Sequence, residues 1–168
     1  MLAASNYIKK VLGTEKVDVA VVFGSGHKGL ADEVDNPRTL HYADIPYFPI
    51  PTNIGHGRDL VYGQLHGKNI ILFKGRIHLF EGYRSFYHSW LGYLAAFLGC
   101  ELLISTNSCG AITTELHVGD FMIMSDHLNC SYLPFLNGKY ILQGLRSSAL
   151  PSEDESGYLI KMYLINNL

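Results

Sequence analysis

The hydrophobic residues of this chain fall into short runs separated by glycine, proline or charged breaks. Met1 to Gly13 (MLAASNYIKKVLG) has apolar positions at helical spacing and predicts a short amphipathic helix, too polar for a secretion signal. Val17 to Phe23 is valine-rich with only Asp18 polar, the pattern of a strand buried on both faces. It stops at Gly24-Ser25-Gly26, and a helix start is expected around Lys28. Asn36-Pro37 is expected to close that segment with turn chemistry. Ile45 to Pro51 carries three prolines in seven residues, so it is expected to be extended and outside the interior of any ladder.

Leu60 to Leu65 and Asn69 to Phe73 flank His66-Gly67-Lys68, predicting a β-hairpin with a three-residue loop. Tyr87, Trp90, Leu91, Leu94, Phe97 and Leu98 recur at helical spacing and predict an amphipathic helix whose aromatic residues belong to the core. Leu102 to Thr106 and Phe121 to Met124 predict two more strands, the first leading into Asn107-Ser108-Cys109-Gly110, the second into Ser125-Asp126-His127. Ser147 to Ser156 has the composition of a polar linker. Gly157 to Leu168 suits either a closing helix of about three turns or a tail that packs on nothing. This alternation of strand, glycine-rich or polar loop and helix predicts an α/β fold with a mixed, largely parallel central sheet and flanking helices.

Composition narrows the function classes. With 168 residues, 48% hydrophobic and 17% charged, the chain has the size and make-up of one globular domain with its own core. A net charge of -2 without a basic block offers no handle for nucleic acid, and no apolar stretch approaches the length of a membrane span. The eight histidines lie at least ten residues apart and pair with no cysteine at metal-ligand spacing, so no metal is expected. Three cysteines, Cys100, Cys109 and Cys130, are too few for a disulfide framework and suit reduced thiols in a cytoplasmic protein.

Candidate chemistry gathers where strands are expected to end. Lys74 to Tyr83 (KGRIHLFEGY) places Arg76, His78 and Glu81 directly after an apolar run. A solvated strand end with a turn at Gly82 accounts for it as well as an anion site does. Gly24-Ser25-Gly26 is compatible with a plain tight turn and with a nest of backbone N–H groups that holds an anion. Arg76 has the planar fork that matches phosphate, the turn at Asn107-Ser108-Cys109-Gly110 offers further N–H groups, and His56 sits between Gly55 and Gly57. Together these suit one small dianion better than a polyphosphate, for which no GxxxxGK[ST] loop is present. Gly24 to Gly29 also spells GxGxxG, but the acidic residue at the required distance, Asp44, leads into the proline-rich segment and ends no buried strand.

The motifs GSG at 24–26, GHG at 55–57, GRIHLFEGY at 75–83, TNSCGAI at 106–112 and VGDFMIMSDHLN at 118–129 occur in that order. This set resembles the trimeric purine nucleoside phosphorylases specific for 6-oxopurines. The resemblance implies a nucleoside phosphorylase-like α/β domain over residues 1–130, with a divergent tail over 131–168. It implies phosphorolysis of a purine (deoxy)nucleoside to free base and pentose 1-phosphate, with inorganic phosphate as co-substrate and no cofactor. It also implies cytoplasmic purine salvage by a homotrimer, or a hetero-oligomer with a full-length relative. On this resemblance His78 is the catalytic candidate; Ser25, His56, Arg76, His78 and the backbone N–H of Ser108 form the phosphate site. Phe80, Asn107, Cys109 and Gly110 wall the nucleoside site, and Glu81 anchors the phosphate-site groups.

Four departures accompany it. Phe80 replaces a tyrosine usual in the family, His27-Lys28 replace uncharged residues, and Gly57-Arg58-Asp59 alters the glycine placement after His56. The family's purine-reading second half has no counterpart before Leu168, so the sequence is expected to be truncated at its C-terminus and to hold a phosphate half-site alone. A non-catalytic homologue that joins a full-length relative is the alternative expectation.

Overall fold

The computed structural model describes residues 1–24, 28–53, 57–124 and 161–167. Its centre is a seven-stranded sheet made of β1 (Val19–Val22), β2 (Asp35–His41), β3 (Asp59–Leu65), β4 (Lys68–Phe73), β5 (Leu102–Ser108), β6 (Phe121–Ile123) and β7 (Lys161–Asn167), in the order β2-β3-β4-β1-β5-β7-β6. β1 runs parallel to β4 and β5, and β5 parallel to β7, while β2–β3, β3–β4 and β6–β7 pair antiparallel. The sheet is therefore parallel at its centre and antiparallel towards both edges.

The apolar runs fill two faces because side chains alternate along a strand. Ala20 and Val22 of β1 and Ile71 and Phe73 of β4 face a core shared with two helices, α1 (Leu2–Leu12) and α2 (Trp90–Leu98). Ile8, Leu94 and Leu98 are fully buried there, and Phe48 joins Tyr42, Phe73 and Trp90 in an aromatic cluster. Val21 of β1 and Phe23 just after it, with Ile70 and Leu72 of β4, pack on the opposite face against Ala31 and Val34. α1 ends at Gly13, whose φ of 61° suits a glycine C-cap, and Arg38 donates from its guanidinium to the carbonyls of Val11 and Leu12.

Several expectations change at this level. The segment from Lys28 is a 3-10 turn, Lys28–Glu33. Asn36-Pro37 does not end that segment but lies within β2, where the register shifts between Asp35 and Arg38 and Asn36 takes a φ of 50°. An edge strand tolerates both proline and such an irregularity. The hairpin loop holds two residues, His66 and Gly67, rather than three; their φ values of 49° and 75° match the twist of the flanking strands. The helical run starts as a 3-10 turn, Ser85–Ser89, and becomes α-helical at Trp90. Of its aromatics, Trp90 is buried but Phe97 is 45% exposed, so the expectation that all are core fails at Phe97. The end of the chain, expected as a helix or an unpacked tail, forms β7 between β5 and β6. Ser125-Asp126-His127 and Ser147 to Ser156 lie outside the described residues.

Candidate phosphate-binding site

β1, β4 and β5 are adjacent and parallel, so their C-terminal ends open on one edge of the sheet, the position at which α/β sheets gather ligands. The chain leaves β1 at Gly24, β4 at Lys74 to Tyr83 and β5 at Ser108. β3 is antiparallel to β4, which brings Gly57 and Arg58, just before β3, to the same edge.

Backbone packs on backbone here. A Cβ on Gly75 would come 2.0 Å from the Gly57 carbonyl oxygen, one on Gly57 2.6 Å from the Lys74 oxygen, and one on Gly24 2.3 Å from the Thr106 oxygen. These glycines are required by close approach rather than by turn conformation. Tyr42, 1% exposed, locks the crossing: its hydroxyl donates to the Gly75 carbonyl (2.8 Å) and accepts from the Gly75 N–H (3.3 Å). Burial pushes its phenol well above the usual range.

Thr106 joins the other two exits. It is 5% exposed; its hydroxyl accepts from the Gly24 N–H at 2.8 Å and donates to the Val22 carbonyl at 3.3 Å. Its carbonyl accepts from Nη1 of Arg76 at 2.8 Å. Arg76 is half-buried, and among the described residues it forms no ion pair. Burial lowers the pKa of its guanidinium, but an arginine remains cationic. An anion is the natural complement of such a group.

His78 caps the 3-10 turn Leu79–Glu81 that follows. Oε1 of Glu81 accepts from the His78 backbone N–H at 2.7 Å and lies 3.3 Å from His78 Nδ1. Oε2 accepts from the hydroxyl of Thr52 at 2.7 Å and from its N–H. Burial raises the Glu81 carboxyl, but the bonds from Thr52 and His78 outweigh it and hold the group down at about 2. A depressed carboxylate contributes stability above its unfolded value and loses it as pH falls through the folded one. Stability is therefore expected to fall between the ordinary 4.5 and about 2. In Glu81→Gln that part of the pH profile should flatten, as urea unfolding followed across the acid range will show.

Phe80 is 74% exposed and stacks on the His78 ring, with centroids 5.2 Å apart and planes inclined by 19°. Asn107, near the end of β5, is half-buried and its Nδ2 donates to the Ser108 carbonyl at 3.2 Å; beyond the strand Cys109 is half-buried and Gly110 exposed. Ser108 is the last residue of β5 and pairs with Asn167 of β7. Ser25 and His56 lie outside the described residues, though Gly24 and Gly57 beside them stand at the same sheet edge. The structure thus brings Arg76 to Thr106, and His78 to Glu81 and Phe80. Two cavities lie nearby, one of about 510 Å³ lined by Gly82, Tyr83, Arg84, Phe86 and Tyr87, the other of about 410 Å³ running from Gly110 to Met122. Neither has Arg76 or His78 among its described lining residues. Among the described residues no cluster of His, Cys, Asp and Glu could hold a metal, and no helix is long and apolar enough to cross a membrane.

Sequence reasoning missed Tyr42, Thr52 and Thr106. Thr106 was legible only as the start of the TNSCGAI stretch; nothing local marks a tyrosine or a threonine as the partner of a loop thirty residues away.

Comparison with known proteins places this geometry. Residues 18–161 match the Phosphorylase superfamily, so the match runs beyond Cys130, where the motif resemblance ends. Purine nucleoside phosphorylase 1 of Bacillus subtilis is 42% identical over 126 residues, covering 75% of this chain and 46% of that protein. Purine nucleoside phosphorylase of Bos taurus is 35% identical over 143 residues, covering 85% of this chain and 46% of its own. The structure of the Schistosoma mansoni purine nucleoside phosphorylase in complex with inosine superposes with a TM-score of 0.62 at 31% identity, over 71% of this chain and 41% of that one. The chain spans about half the length of the curated relatives it matches. From the match over most of its length, and from strand exits that meet as described, the chain belongs to the phosphorylase superfamily.

Proposed function

We propose that this chain serves phosphorolysis of a purine (deoxy)nucleoside, with inorganic phosphate as co-substrate. One observation carries the reading: Arg76, a half-buried cation without a carboxylate among the described residues, stands where three strand exits converge. The relatives named purine nucleoside phosphorylase and the inosine-bound neighbour support the substrate class.

In this reading Arg76 binds the dianion by charge-assisted hydrogen bonds, with Ser25, His56, His78 and the N–H of Ser108 completing the cradle. His78 is the catalytic candidate, held by Glu81. Phe80, Asn107, Cys109 and Gly110 wall the nucleoside. As the bond between sugar C1′ and the purine nitrogen lengthens, positive charge develops on the sugar. A phosphate fixed beneath it stabilises that charge and is already placed for attack at C1′. The new C1′–O bond gives pentose 1-phosphate, and the bonding pair leaves with the base, which takes up a proton. No cofactor is needed. A cytoplasmic purine-salvage role as a homotrimer is the corresponding physiological reading.

The alternative of a non-catalytic homologue that joins a longer relative is favoured by a separate observation. Ile112, Val118, Phe121 and Ile123, around the second cavity and β6, are 105%, 96%, 63% and 65% exposed, an apolar surface suited to cover by further polypeptide. The deciding experiment is phosphate-dependent release of hypoxanthine from inosine by folded protein of verified size, with Arg76→Ala as control. Turnover lost in the variant supports phosphorolysis by this chain. Phosphate binding without turnover favours the alternative, and mixed oligomers with a full-length relative on size exclusion would then establish it.

A further inference from the structure

We infer that Thr52 is a positioning residue, acting through Glu81 to hold the proton of the His78 imidazole on Nδ1. Its bearing on catalysis rests on the phosphorolysis reading; the placement itself does not. The two Glu81 oxygens are divided between two segments of chain. Oε2 takes the hydroxyl and N–H of Thr52, in the segment leading towards the GHG loop, and Oε1 takes the N–H of His78 and faces its Nδ1. A second tie joins the same segments, because the Tyr83 hydroxyl donates to the Ile50 carbonyl at 2.7 Å.

An ionised carboxylate accepts and cannot donate, so the contact with Oε1 calls for the proton on Nδ1, in competition with the Glu81 backbone N–H, which also reaches the His78 side chain and can only donate. Stacking by Phe80 fixes the plane of the same ring. A free neutral imidazole side chain prefers its proton on Nε2, so the arrangement selects the less favoured tautomer and makes Nε2 the acceptor. Thr52 is exposed while the Glu81 side chain is only 1% exposed, so the hydroxyl lies over the carboxylate as its outer donor. Removing the hydroxyl leaves Oε2 with the backbone N–H alone and frees the carboxylate to turn away from Nδ1. The charged side chains nearest in the chain to His78 are Arg76 and Glu81; Glu81 meets the ring, and Arg76 reaches the Thr106 carbonyl instead.

The test is ¹⁵N NMR of the full chain labelled at histidine, at about pH 8.5, where a histidine of ordinary pKa is neutral. His78→Gln assigns the signal, and inorganic phosphate is titrated into each variant. His78 of the unaltered protein should show the Nδ1–H pattern. Thr52→Val should move it towards Nε2–H and weaken phosphate binding about tenfold, or about 1.4 kcal/mol. Thr52→Ser should restore both to within about twofold. Thr52→Ala removes the same hydroxyl and reports in its place if the valine variant does not fold. An Nε2–H pattern in the unaltered protein, or a pattern unmoved in Thr52→Val and Thr52→Ala, overturns the inference. Absence of phosphate binding in the unaltered protein would count against the phosphate-site reading instead, and the ¹⁵N pattern would still decide the role of Thr52.

Discussion

Replacing Arg76 with alanine is expected to weaken phosphate binding about 100-fold while leaving the fold largely in place. The guanidinium is fixed on one side by Nη1 donating to the Thr106 carbonyl, and among the described residues no carboxylate takes its other donors, which suit a dianion at the sheet edge. Loss of two charge-assisted hydrogen bonds, at roughly 1.5 kcal/mol each, corresponds to about 3 kcal/mol or two orders of magnitude in affinity. The bond to Thr106 is also lost, which should cost about 1 kcal/mol of stability. Calorimetric titration with inorganic phosphate, beside urea unfolding of the same variant, separates the two effects. Arg76→Lys should recover part of the affinity, since the charge remains but the planar fork does not. Affinity retained together with a large loss of stability would make the arginine a structural residue.

The second large effect is expected at Gly75. A methyl group there would have to occupy space 2.0 Å from the Gly57 carbonyl oxygen, and its next neighbours, at 3.0 and 3.1 Å, are backbone atoms too. No side chain can rotate away to relieve the clash. The strand exit carrying Arg76 and the segment carrying Gly57 must separate, breaking the paired hydrogen bonds between Tyr42 and Gly75. Gly75→Ala should therefore lose about 3 kcal/mol or more in urea unfolding, with phosphate binding reduced even under conditions where the protein remains folded. Gly29→Ala is the control: among the described residues nothing lies within 4 Å of its added Cβ, and its effect should stay within about 0.5 kcal/mol. Equal effects at the two glycines would mean that the crossing can relax.

Both predictions concern the edge at which β1, β4 and β5 end. Much of that region was readable in the residues themselves. The valine-rich run before Gly24 and the isoleucine-rich run before Lys74 have the unbroken hydrophobicity of central parallel strands, and both lie side by side in the sheet. An arginine, a histidine and a glutamate after such a run are visible without any coordinates. So is the hairpin, though its loop is one residue shorter than expected because His66 tolerates a left-handed backbone beside Gly67.

By itself, then, the sequence determined what is set by neighbours along the chain: the α/β alternation, the periods of the strands and helices, the glycines at strand exits and the residue types gathered at that sheet edge. Periodicity and propensity act over a few residues, and those features need no more. Only the tertiary structure decided that Thr106 bridges Gly24 and Arg76, that Tyr42 clasps Gly75, and that Thr52 and His78 share one carboxylate. It also decided that residues Lys161–Asn167 join the sheet as a strand between β5 and β6. The physical reason is common to all of these. Each is a contact between segments distant in sequence, and a hydrogen-bonding side chain or a short apolar run has the same local signature whether its partner is water, its own helix or a strand elsewhere in the chain.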